Sequence, residues 1–162
     1  MSYKLPPVTH GNFLSTVTQT YTGSTTTATS TGQTVYFTTA IDASSGISLV
    51  DGYKFVVSSS GDYQIVFSTI IDQSSGNNVS YELWFLKNGA LVSNSNTRTV
   101  NANATSEQVM CASFIIDLVT NDNVSLCWFA DGAGGTLKAV AAVGSVRPAT
   151  PSIIVTVVKI SE

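Results

Sequence analysis

The sequence predicts an all-β fold, an antiparallel sandwich or jelly roll of eight to ten strands. Three observations lead there. Apolar and polar residues alternate with a period of two along most of the chain, the spacing of strands that cover one face. β-branched residues abound, and Ser and Thr together make up about a quarter of the sequence, which suits pleated surfaces. Turn residues recur after roughly every 8–14 positions, the rhythm of short antiparallel strands. No helical period and no internal repeat interrupts this pattern, which disfavours propellers and β-helices. At 162 residues the chain has one domain's worth of core.

The elements follow in order. Residues 1–13 read as an N-terminal arm and 14–162 as the jelly roll. "NFLSTVTQTYTG" (12–23) alternates apolar residues with Thr, and "STTTATSTGQ" reads as an exposed loop or edge. "TVYFTTAI" (34–41) reads as one short strand. "ISLVDGYKFVV" (47–57) carries Asp51-Gly52, a dipeptide that suits a two-residue hairpin turn. "SSSGDYQIVFSTIID" (58–72) is the longest alternating stretch. "VSYELWFLKNGALV" places Asn88-Gly89 between apolar runs, again a hairpin signal. "TRTVNANATSEQ" reads as a partly exposed strand and loop. "VMCASFIIDLV" (109–119) and "NVSLCWFA" (123–130) flank a tight turn at "TND", and "DGAGG" (131–135) is a turn or loop. "TLKAVAAVGSV" follows, "RPATP" marks a connection, and "SIIVTVVKIS" closes the fold.

Composition excludes several classes of function. Only 10% of residues are charged and the net charge is -3, so neither nucleic acid nor an anionic membrane finds a basic footprint. Mean hydropathy is +0.24, yet no apolar run approaches the roughly 18 residues of a membrane span. The opening "MSYKLPPVTH" lacks the pattern of a secretory signal, so synthesis in a cytoplasm and use without secretory export is the expectation. Cys111 and Cys127 have neither metal nor redox spacing and are expected as buried thiols.

Several strands are apolar on both faces. In 61–72, Tyr63, Ile65, Phe67 and Ile71 form a core face, but Val66 and Ile70 punctuate the other. Ile154, Val158 and Ile160 oppose Ile153, Val155 and Val157 in the last strand, and Cys127 and Phe129 oppose Val124, Leu126 and Trp128. A two-layer antiparallel sandwich needs only one apolar face per strand. With no helices to cover the second, a like subunit is the simplest cover. Gln64, Val66, Ser68, Ile70, Ile154, Val158 and Ile160 are therefore the expected subunit interface.

The chain also resembles a known family. Gly61, Tyr63, Ile65 and Phe67 are similar to the turn-Gly-x-Tyr-x-apolar strand of tumour necrosis factor-like jelly rolls, including complement globular heads. Lys87, Asn88 and Gly89 resemble their next hairpin, and Leu118, Asp122, Val124 and Leu126 their later L-x-x-x-D-x-V-x-L segment. The order holds over about two thirds of the chain, from Ile47 to Ile160. The resemblance implies a trimer whose central and last strands face the three-fold axis. The calcium sites of some complement heads do not carry over, because no acidic cluster matches them. "THGNFLSTVTQT", "GISLV", "KNG" and "RPATPSIIVTV" resemble short phage virion structural proteins, which implies a place on a capsid surface or fibre.

Candidate chemistry is sparse. His10 is the single histidine and lies far in sequence from either cysteine, so no nucleophilic triad is legible. Asp117, Asp122 and Asp131 sit where turns need Asp. No His/Cys cluster or calcium loop marks a metal, and no cofactor motif is present. The sequons at Asn78, Asn103 and Asn123 match the two or three that ten Asn would produce by chance in so Ser/Thr-rich a chain. Arg98 and Arg147 read as solvated charges. Trp84, Phe85, Trp128 and Phe129 could stack on a sugar, although strand aromatics are usually core.

The expectation is a non-enzymatic homotrimer that decorates or cements a capsid as a virion component, with the major capsid protein or another virion protein as partner. With no stalk or anchor legible, docking is expected to use the arm, through Tyr3, Lys4, Leu5, His10 and Phe13. The alternative is the receptor- or glycan-binding head of a phage tail fibre or spike, with a host surface glycan as partner.

Overall fold

Residues 8–23, 32–43, 46–132 and 134–161 are described by a computed structural model. Their strands are β1 (His10–Ser15), β2 (Gln19–Thr20), β3 (Gln33–Thr34), β4 (Thr39–Ala43), β5 (Ile47–Val50), β6 (Lys54–Val57), β7 (Gly61–Gln73), β8 (Asn77–Lys87), β9 (Ala90–Leu91), β10 (Thr97–Asn103), β11 (Gln108–Leu118), β12 (Asn123–Ala130), β13 (Gly135–Leu137) and β14 (Ile153–Lys159). No helix occurs among the described residues.

The alternation of β7 is realised residue by residue: every odd position from 61 to 73 is buried and every even one is half-buried or exposed. That regularity makes β7 the spine of the first sheet. β11 lies along one flank, from Gln108 opposite Ile71 to Leu118 opposite Gly61. β14 takes the other flank from residue 63 to 69, and β13 continues beside residues 71–73. β1 and β4 complete the sheet beyond β14, and β2 pairs with β13. The second sheet runs β10-β8-β12-β6-β5, with β3 on β12 and β9 on β8. All pairings between these strands are antiparallel.

Between the sheets lie Tyr63, Ile65, Phe67, Val155 and Val157 from the first and Phe55, Tyr81, Leu83, Phe85, Leu126 and Trp128 from the second, all essentially inaccessible. Their aromatic rings meet across the layers, with Phe67 and Phe85 edge-on at 6.1 Å. Thr69 and Gln73 are the buried polar side chains on the inner face of β7; the Thr69 hydroxyl donates to the Ser152 carbonyl at 2.6 Å and the Gln73 amide to the Gly76 carbonyl at 2.9 Å.

Asn88 and Gly89 adopt φ of 51° and 81°, and Lys87 pairs with Ala90, so this hairpin has the expected two-residue turn. Asp51 and Gly52 also take positive φ, but Val50 pairs with Lys54, giving a three-residue loop that includes Tyr53. Gly61 also takes a positive φ, of 147°, and has a second reason to be glycine: a Cβ there would stand 2.2 Å from the Ser161 carbonyl oxygen.

Four expectations are corrected. The stretch 34–41 is not one strand: β3 pairs with β12 in the second sheet and β4 with β1 in the first, so the chain changes sheets between them. The jelly roll begins at His10 rather than residue 14, because β1 pairs with β14 from His10 onward. Phe13, expected in a docking arm, is fully buried with its ring 4.7 Å from Phe55; its side chain belongs to the core. Cys111 is exposed rather than buried, since it lies on the outward side of β11, whereas Cys127 is buried and both are free thiols.

Candidate functional site

The period-two alternation that fills the core also builds the outer face of the first sheet, and the pairing registers align its residues in rows. One row runs His10, Val158, Gln64, Ile115; the next Asn12, Thr156, Val66, Ser113; a third Leu14, Ile154, Ser68, Cys111. Ile70 beside Val109 begins a fourth. These positions include no Lys, Arg, Asp or Glu, and charge depletion of this kind marks the centre of protein interfaces.

All seven residues expected in a subunit interface fall on this side. Gln64, Val66, Ser68 and Ile70 project from β7, Ile154 and Val158 from β14, and Ile160 follows on from β14 with its N–H donated to the Asp62 carbonyl. Val66 and Ile160 are open to solvent, and Ile70, Ile154 and Val158 are half-buried. The Gln64 amide donates to the Ser113 hydroxyl at 3.0 Å, so part of its polar capacity is met within the chain.

Sequence reasoning missed the contribution of β11. Val109 and Ile115 are 69% and 65% exposed, the most open large apolar side chains of the face. The alternation of Val109, Cys111, Ser113 and Ile115 against Met110, Ala112, Phe114 and Ile116 could have revealed them. β12 shows the opposite outcome. Cys127 and Phe129, expected to need a neighbour, are buried within the chain; Tyr21 meets Phe129 edge-on at 5.6 Å and Trp128 at 5.3 Å.

The expected docking residues do not gather into a site. Tyr3, Lys4 and Leu5 lie outside the described residues. His10 is half-buried, and its Nδ1 lies 2.9 Å from the Val8 carbonyl oxygen. Arg98 is not simply solvated: it donates to the Ser80 hydroxyl at 2.9 Å and stands 3.7 Å from Glu82. Among the aromatics considered for a sugar, Phe85, Trp128 and Phe129 are core, and Trp84 alone is partly open.

The strongly shifted titratable groups serve the fold. Asp122 is held down at about 2, first by the Asn88 amide and then by the Val119 N–H, with Lys87 assisting and burial opposing. Its carboxylate thereby fastens the β11–β12 turn to the β8–β9 hairpin. Tyr81 is pushed up to about 12 by burial, and its hydroxyl donates to the Asp72 carbonyl. Among the described residues no group of three or more His, Cys, Asp or Glu could hold a metal, and no helix is long and apolar enough to cross a membrane.

These two sheets, their connectivity and their long central strand define a jelly roll of the tumour necrosis factor and complement globular-head type. Among many matching solved chains is one described as the globular domain of zebrafish complement 1qA protein, 15% identical to this chain. The alignment covers 96% of this chain and 99% of that one, with a TM-score of 0.58. At that identity the likeness establishes the fold. No protein-family model and no curated protein matches the sequence.

Proposed function

We propose that this protein is a non-enzymatic homotrimer that decorates or cements a capsid, using the outer face of its first sheet to assemble. The observation that carries the assembly is the set of charge-free rows on β1, β14, β7 and β11, in which Val66, Val109 and Ile115 stay open to solvent. Scattered surface apolars are ordinary; apolar residues that share four adjacent strands in register, with no charge among them, favour a binding surface. A cyclic assembly closes such a patch without leaving unsatisfied copies, and the family resemblance favours three-fold closure. The virion setting is supported by the resemblance to short phage structural proteins.

Sedimentation of the purified protein tests the assembly: a trimer is expected, and a stable monomer at all concentrations would refute it. Counting copies per particle tests the setting. Hundreds of copies indicate capsid decoration, and a few tens or fewer indicate a fibre or spike. Removal of residues 1–9 should abolish capsid binding while the trimer persists; unchanged binding would exclude the arm as the docking element.

A further inference from the structure

The outer face of the second sheet carries a groove that the assembly would leave open. It begins on β8, where Trp84 and Leu86 point away from the core because Leu83 and Phe85 point into it. The Asn88-Gly89 turn folds β9 back, which sets Leu91 opposite Leu86. Leu91 is 73% exposed. The chain after it is firmly tied: Val92 N–H donates to the Phe85 carbonyl at 3.0 Å. The Ser95 hydroxyl donates to the Val92 carbonyl at 2.8 Å and accepts from Phe85 N–H at 3.0 Å. These bonds hold Asn94, in the left-handed region with φ 61°, at the rim. Across from it the Asn96 amide donates to Glu82 at 2.7 Å. The groove is shallow and open to solvent, with a volume of about 840 Å³, and its walls include Glu82, Trp84, Leu86, Leu91, Asn94 and Asn96.

That volume falls in the range of ligand pockets, which combine apolar walls with a few placed polar groups. The chemistry narrows the ligand. Glu82, the one charged wall residue, already meets Arg98 and Asn96, so the groove has no surplus charge to recruit an ion. A purely apolar ligand would desolvate the Asn94 and Asn96 amides without replacing their water. A sugar ring satisfies both requirements, with a C–H face for the indole and leucines and hydroxyls for the amides and carboxylate. Leu86 and Leu91 extend the apolar wall beyond an indole-sized platform, which suits the methyl of an acetamido group.

We propose that this groove binds a neutral glycan containing N-acetylhexosamine. The site itself is complete within one chain. Its expected avidity rests on the proposed trimer, which would present three grooves outward and convert weak single-site binding into tight attachment to a glycan-coated surface, a gain of about 10²–10⁴ where geometry allows.

Titration of the full chain with N,N′-diacetylchitobiose, followed by the indole N–H resonances, tests the proposal. Saturable shifts are expected at Trp84 and through residues 82–96 but not at Trp128, with a dissociation constant on the order of 1 mM. Cellobiose, which lacks the acetamido groups, should bind at least about tenfold more weakly. Leu91→Ala and Asn96→Ala should each weaken binding while preserving the melting temperature, since both side chains are exposed. Absence of a Trp84 shift at about 20 mM disaccharide, some twentyfold above the expected constant, would overturn the proposal. So would shifts unaffected by both substitutions; equal binding of cellobiose would overturn the N-acetylhexosamine assignment. A monomeric variant altered on the first sheet should bind with the same per-site constant, so failure of the trimer and failure of the groove are separately visible.

Discussion

Ile115→Asp offers the sharpest test of the assembly face. In an isolated chain the substitution should be mild, because Ile115 is 65% exposed and projects from the outer side of an edge strand. Surface changes of that kind usually stay within about 0.5 kcal/mol, with some added loss of strand preference. In a trimer the same position would be covered. Full burial of an isoleucine is worth about 1.5–3 kcal/mol, so covering the open 65% contributes roughly 1–2 kcal/mol per protomer. Three copies then lose about 3–6 kcal/mol, before the further penalty of several kcal/mol for each desolvated carboxylate. Even about 3 kcal/mol weakens association roughly a hundredfold. Sedimentation velocity over a wide concentration range should therefore show Ile115→Asp as a monomer with an almost unchanged melting temperature. Leu91→Asp, at a still more exposed position on the second sheet, should remain trimeric. A trimer of wild-type affinity for Ile115→Asp would refute the placement of this face at the interface.

Two further outcomes follow from individual groups. The carboxyl of Asp122 is held at about 2, below its ordinary 3.8, so its stabilisation is present above pH 3.8 and is lost as pH falls through 2. Asp122→Asn should lower the melting temperature at neutral pH by roughly 4–8 °C, as expected for a charged hydrogen bond of about 2 kcal/mol in a chain of this size. The deficit should shrink toward pH 2 in thermal melts; a constant deficit would show that the carboxylate's charge is immaterial. Cys111 and Cys127 should separate under iodoacetamide. Burial pushes the Cys127 thiol up and should keep it unreactive in the folded state, whereas Cys111 should react in the Ile115→Asp monomer and be protected in the trimer. Mass spectrometry showing equal Cys111 labelling in both would argue against its place at the interface.

Where local rules determine structure, the sequence was readable. Asn88-Gly89 required no knowledge of the rest of the chain, because positive φ at consecutive residues is a local preference of those side chains. The alternation of β7 was equally direct, since a sheet strand buried on one side has no other period available. Residues 33–43 were harder. Their composition suits a strand throughout, but membership of a sheet depends on partners in β12 and β1 that periodicity does not name. Phe13 was misplaced for the same reason: its burial against Phe55 depends on a contact across 42 positions.

The same limit governs the two-faced strands and explains why Cys127 and Phe129 need no neighbouring subunit. Val66 and Phe129 look alike in sequence, each an apolar residue on the face opposite the main core set. They differ in what the fold brings to them. Tyr21 packs edge-on against Phe129 at the end of β12, so Phe129 finds its cover more than a hundred positions upstream in its own chain. Among the described residues Val66 stays exposed, and its neighbours in the row are Thr156 and Ser113. An excess of apolar residues therefore signals only that cover is required; the chain connectivity decides whether that cover is internal. Subtracting the internal case leaves β7, β11 and β14, three adjacent strands of one sheet, as the surface still to be covered. Because the Trp84 groove lies on the other sheet, an assembly built on these three strands can hold the copies together without closing it.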